Sequence, residues 1–175
     1  MKQAIIGTIA LLAGLYAGEW LPDVDQDFSF ITHRSIFTHG LIVPVILFGL
    51  ASINKTLAIR TFVIGFCLGA AVHLSYDLFP RAWQGFALIH VPTIGWTYPL
   101  VSWVWIAGSM VISLYVALRL VSGLFQGIVV LGVGAAMFGY TGLGEATLLG
   151  PAAAVAMATI LAMAILLRRQ ASNSE

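Results

Sequence analysis

The chain has 175 residues, of which 60% are hydrophobic and only 9% charged, with a formal net charge of +1. A soluble domain is nearer one half apolar, so this composition excludes a water-exposed fold and points to a membrane protein. The near-neutral charge, with no basic run or basic helix face, excludes a nucleic-acid partner, and the single cysteine, Cys67, excludes disulfides within the chain and reads as a small buried hydrophobe.

The first stretch, Gln3 to Trp20, follows a lysine as a signal peptide does, but Leu15-Tyr16-Ala17 is a poor cleavage site, so it is expected to remain as a first span. Next comes LPDVDQDFSFITHRSIFTHG, Leu21 to Gly40, which gathers Asp23, Asp25, Asp27, His33, Arg34, Ser35, Thr38 and His39 between two apolar runs. Ser35 to Ile53 and Leu57 to Leu78 each approach the about 20 helical residues that cross a bilayer. His73 and Asp77 interrupt the latter at i, i+4 spacing, which sets both on one helix face. Gly14 and Gly18 in the first span, and Gly65 and Gly69 in the third, form G-x-x-x-G pairs that let helices approach closely, so spans one to three are expected to pack together.

The segment from Pro80 to Pro99 is broken by proline and glycine and is expected to lie in the membrane interface. Trp20, Trp83, Trp96, Trp103 and Trp105 map to that level, either as an aromatic belt or as a flap over the polar residues with His90 as its titratable member. Three further spans, about Leu100 to Leu120, Leu124 to Thr141 and Ala146 to Leu167, complete an all-α polytopic bundle of about six spans. The last two, rich in Gly and Ala, read as scaffold or oligomer contact, and Gln170 to Glu175 as a frayed tail. The chain reads as one integral-membrane domain: residues 1–79 the catalytic half, 80–99 an outer interfacial loop, 100–175 the scaffold half.

With the amino terminus inside, Lys2, Lys55, Arg60, Arg119, Arg168 and Arg169 fall at cytoplasmic ends and only Arg34 and Arg81 fall outside, which places both termini in the cytoplasm. The same threading places Glu19, Asp23, Asp25, Asp27, Asp77 and Glu145 at the outer face, with His39 and His73 at a similar shallow depth, and leaves Glu175 as the sole inside acid. Ionisable groups within spans are costly and default to function.

Asp23, Asp25, Asp77, His33, His39 and His73 form an oxygen and nitrogen ligand set without thiolate, suited to a divalent ion such as zinc or manganese. Six ligands exceed one tetrahedral catalytic zinc and would serve two ions sharing a carboxylate; one or two ions are expected. Both carboxylates of Asp23-Val-Asp25 would have to turn toward one ion. Arg34 suits a phosphate or carboxylate through forked hydrogen bonds. Ser35 or Thr32 is a candidate cap for span two, whose start would favour an anion, and Thr38 is placed to orient His39.

The patterns LPDVD, HRSIFTHG and VHLSYD resemble those of the YdjM-like bacterial family of inner-membrane metal-dependent hydrolases, over about the first half of the chain. The resemblance marks Asp23, Asp25, His33, Arg34, Thr38, His39, His73 and Asp77, with departures at Gln26, Gly40 and Val72. It implies a hydrolase in the bacterial inner membrane but names no substrate.

The expected function is therefore a membrane-embedded metal-dependent hydrolase working at the outer face on a phosphoester of a lipid or other amphiphilic anion. Asp23, Asp25, Arg34 and Asp77 are its expected catalytic residues, and no general base stands out. A metal or ion transporter is the alternative. Transporters usually place their sites near the midplane and in repeated halves, and neither feature is evident in this sequence.

Overall fold

The computed structural model describes residues 2–28, 32–80, 88–145 and 147–172. Arg81, Trp83, Ala146 and the final residues of the tail, expected as interface, belt, span start and frayed end, lie outside these described residues. Among these residues six helices are present: α1 (Lys2–Trp20), α2 (Ile42–Ile53), α3 (Leu57–Asp77), α4 (Pro99–Leu120), α5 (Leu124–Gly142) and α6 (Leu149–Ser172). A 3₁₀ turn, Leu21–Gln26, follows α1, and a two-stranded antiparallel hairpin, β1 (His90–Val91) and β2 (Gly95–Trp96), precedes α4. The all-α bundle expected from the composition is what forms.

Five of the helices are long and apolar enough to cross a membrane. The exception is α2, where the expected span Ser35 to Ile53 shrinks to twelve residues, about 18 Å at 1.5 Å per residue against about 30 Å of hydrocarbon. Pro44 is the reason. Proline is tolerated in the first helical turn, where its missing N–H is unpaired anyway, and it stands third in α2; a helix begun at Ser35 would carry it in the interior. The residues from His33 to Leu41 turn instead of spiralling, and Ser35 and Thr32 cap nothing, since the residue before α2 is Leu41, without a side-chain cap bond. The anion-favouring helix start expected at Ser35 is thus displaced to Ile42.

Helix α3 is the axis of the bundle, with nearly every residue from Val63 to Asp77 buried, Cys67 completely. It runs parallel to α1 with both G-x-x-x-G pairs in the seam: a side chain on Gly14 or Gly18 would strike the backbone of Phe62 or Phe66, and one on Gly65 or Gly69 that of Leu11 or Leu15. The backbones touch because nothing stands between them. On the other side α4 runs antiparallel, with Arg60 Nη2 donating to the Leu120 carbonyl at 2.9 Å, and α5 runs parallel, with the Tyr76 hydroxyl donating to the Phe138 carbonyl at 2.8 Å. Arg169 Nη1 donates to the Tyr115 hydroxyl at 2.8 Å, which sets α6 alongside α4.

The chain therefore passes back and forth, and two ends of the bundle differ in charge. Lys2, Lys55, Arg60, Arg119 and Arg169 lie at one end with the start of α1 and the end of α6. Residues 21–28 and 32–40, the end of α3 and the end of α5 share the other. Between them the surface is hydrocarbon, as at Ile9, Leu131 and Ile160, each more than 60% exposed, which suits a multi-pass membrane protein.

Candidate metal centre

The site begins with the 3₁₀ turn started by Pro22. With about three residues per turn, Asp23 and Asp25 point in different directions: the Asp23 side chain is 46% exposed and the Asp25 side chain fully buried. They do not face one ion, contrary to the arrangement expected of Asp23-Val-Asp25. Asp25 is instead a hub. Its Oδ1 lies 2.9 Å from His33 Nδ1, and its Oδ2 accepts from the Ser35 backbone N–H at 3.1 Å and the Thr38 hydroxyl at 2.6 Å. His39 Nδ1 lies 3.1 Å from that hydroxyl and 3.4 Å from the same carboxylate oxygen.

These contacts assign roles to the rings. A carboxylate only accepts, so the nitrogen of His33 facing it carries the hydrogen; the Thr38 hydroxyl, whose hydrogen points at Asp25, accepts from His39 Nδ1. Both histidines then present Nε2 as the lone-pair atom, the form a metal takes, with orientation fixed from behind. Thr38 thus does what the sequence suggested, while Asp25 acts through His33 and His39 and belongs to neither metal-capable group.

In front of the rings, His39 Nε2 lies 3.5 Å and His73 Nε2 3.6 Å from Asp77 Oδ2, and His73 Nε2 lies 3.9 Å from Asp23 Oδ1. Ligands at about 2.0 to 2.1 Å from a tetrahedral ion stand roughly 3.4 Å apart, so His39, His73 and Asp77 are spaced to share one. His39 Nε2 and Asp77 Oδ2 are buried without a hydrogen-bond partner among the described residues, a costly state that an ion would relieve. A buried His/Asp group that can hold a metal ion is therefore present: His39, His73 and Asp77, with Asp23, His33 and His39 as a second combination. Gln26, where the resembled pattern has histidine, donates to Asp23 Oδ1 at 2.6 Å and steadies it.

Arg34 lies beside this group, its Nε 3.7 Å from Asp77 Oδ1. It has a positive φ of 60°, a conformation that costs a non-glycine residue roughly 1 to 2 kcal/mol. The β1 backbone holds it there: the His90 N–H donates to the Arg34 carbonyl and the Ile36 N–H to the His90 carbonyl, both at 2.9 Å. His90 thus serves the site through its main chain, while its ring packs on Trp96. Trp105 is likewise not a belt residue; its Nε1 donates to the His39 carbonyl at 2.9 Å, and its indole fills the space a side chain on Gly40 would need. Trp20, Trp96 and Trp103 remain exposed at this end, as a belt would be.

The group opens into a cavity of about 700 Å³. Asp23, His33, Arg34, His73 and Asp77 line one side, and Tyr140, Thr141 and Glu145, from the end of α5 and the turn after it, line the other. The topology expected from the sequence already sets Glu145 at this face; Tyr140 and Thr141 are the additions, since α5 reads as scaffold, and the polar pair closing an apolar run is their signal. No family model, curated protein or solved structure matches this chain.

Proposed function

We propose that this chain is a metal-dependent hydrolase of the bacterial inner membrane, with both termini cytoplasmic, that cleaves a phosphoester of a lipid or other amphiphilic anion at the outer face. The observation that carries the reading is the meeting of two unpartnered buried ligand atoms, His39 Nε2 and Asp77 Oδ2, beside a cavity that His73, Asp77 and the half-buried Arg34 line. The segregation of basic residues to the far end supports the sidedness, and the resemblance of the first half to the YdjM-like family supports the reaction class. Both metal-capable groups lie at one end of the bundle among the described residues, which favours hydrolase over transporter.

His39, His73 and Asp77 would hold the ion, with Asp23 beside them; the nitrogen and oxygen donors suit zinc or manganese. His39 has one free nitrogen, so the two combinations that share it describe one centre. When bound, the ion supplies Lewis-acid polarisation of the substrate and a lowered pKa for water. The chain's own groups do the rest. Arg34 would clamp a phosphoryl oxygen, its backbone locked by His90. His33 presents Nε2 to the cavity with Asp25 fixing its tautomer, the arrangement of a proton acceptor.

Purified protein supplied with zinc or manganese is expected to hydrolyse an amphiphilic phosphoester, and Arg34→Ala to slow turnover about 10-fold to 100-fold, as for losing a charge-assisted bond of about 1.5 to 3 kcal/mol, with metal content unchanged. Cleavage of a neutral amide instead, indifferent to Arg34→Ala, would reject the anionic substrate.

A further inference from the structure

The α5–α6 hairpin is open where the rest of the bundle is closed. Sequential helices on a short link usually neighbour one another, and the tips of this pair do meet, since a side chain on Gly142 would strike Leu148. Below the tips α5 leans on α3 and α6 on α4, and among the described residues the two scarcely touch each other. Between them lies a cleft of about 320 Å³, floored by Leu68 and Val72 of α3 and Leu114 of α4 and walled by Phe138 of α5 and Val155 of α6. Its lining is almost wholly apolar. Ala135 and Ala156, on opposite walls, are both exposed, so the cleft opens sideways to where lipid would be.

The cleft and the polar cavity follow one another along a single seam. On α3, Val72 lines the cleft and Tyr76, one turn on, lines the cavity; on α5, Phe138 lines the cleft and Thr141 the cavity. The partition is one aromatic pair, Tyr76 and Phe138, stacked with ring centres 5.1 Å apart. A polar cavity and a hydrocarbon slot thus stand about one helical turn, roughly 5 Å, apart. That order of polarity matches an amphiphile lying along the seam, head to the metal group and tail into the cleft.

We infer that the cleft seats one hydrocarbon chain of the lipid phosphoester whose head group occupies the cavity. The head-group half of this statement rests on the hydrolase reading; the chain half rests on the open hairpin. A chain held there would fix the depth of the scissile bond, the form of positioning that binding energy remote from the reacting atoms supplies.

The test uses the full chain in phosphatidylcholine nanodiscs with phosphatidic acid bearing a diazirine at mid-chain, photolysed and mapped by mass spectrometry. Cross-links are expected to concentrate on cleft residues of α5 and α6, and to be competed by excess phosphatidic acid but not by the diacylglycerol that lacks its phosphate. Ala135→Phe with Ala156→Phe, both at exposed positions and so compatible with folding, should cut cleft labelling about tenfold by filling the slot. Ala136→Phe, exposed but outside the lining, should leave it unchanged. Labelling spread evenly over the helices, equal competition by diacylglycerol, or identical behaviour of the filled and control variants would show bulk lipid only and overturn the inference. The readout needs no turnover: localised, phosphate-directed labelling without hydrolysis of any phosphoester would reject the hydrolase reading alone, and hydrolysis without localised labelling would reject the cleft alone.

Discussion

The α1–α3 seam and the α5–α6 pair are built from the same materials, apolar helices rich in glycine or alanine, and behave oppositely. In the first, each glycine of Gly14, Gly18, Gly65 and Gly69 faces the partner's backbone. In the second, Gly132 and Gly139 face open space, with nothing within 4 Å of where a side chain would begin, and the helices part. Glycine content alone therefore says little about packing; what matters is whether two small pairs fall at matching heights on helices that something else brings together. Here residues 21–28 and 32–40 and the end of α3 supply that something, because Asp25 and His39 of the former and Asp77 of the latter are buried in one another's company. The closed half carries the candidate ligands, and α5 of the open pair carries the far wall of the cavity.

The comparison breaks most simply at the glycines. Gly18→Leu should prevent α1 from seating on α3 and cost about 3 kcal/mol or more, the upper range for overpacking, whereas Gly132→Leu should change stability by no more than about 0.5 kcal/mol. Thermal unfolding in detergent followed by circular dichroism reads both, and equal effects would dissolve the distinction between the seams.

A second test asks whether the closed half alone sets metal affinity. Asp25→Asn keeps the size of the hub but not its charge, and should weaken metal binding about 10-fold to 100-fold through the misoriented His33 and His39. Glu145→Gln, on the opposite wall, should leave it nearly unchanged. Isothermal titration with zinc compares the two, and a larger loss from Glu145→Gln would move the centre across the cavity. The smallest effect concerns Trp105. Replacing it with Phe removes one neutral hydrogen bond to the His39 carbonyl and should cost about 1 kcal/mol, visible as a modest drop in unfolding temperature with metal still bound.

Much of this arrangement is legible in the sequence. The spacing of His73 and Asp77, the paired glycines and the crowding of polar residues before His39 all act locally or by simple periodicity, and the fold uses them as read. What escaped was tertiary or a matter of one residue. Pro44 shortens α2, a signal present in the sequence but masked by the apolar run around it. The two-residue spacing of Asp23 and Asp25 means opposite things on a strand and on a 3₁₀ turn, so the division between a cavity-facing carboxylate and a buried hub needed the backbone. The alternation of spans already runs α5 parallel to α3 and sets Glu145 at this face, but that α5 packs on α3, and so brings Tyr140 and Thr141 to the cavity, is a tertiary relation.

The central claim is that His39, His73 and Asp77 hold a metal ion, and elemental mass spectrometry of the purified chain tests it most directly. The account predicts about one equivalent of zinc or manganese per wild-type chain, and none in His73→Ala with Asp77→Ala, whose helical circular dichroism and elution from size exclusion remain those of the wild type. Equal metal in the two proteins, or a wild-type chain that takes up no divalent ion when supplied with it, would contradict the account.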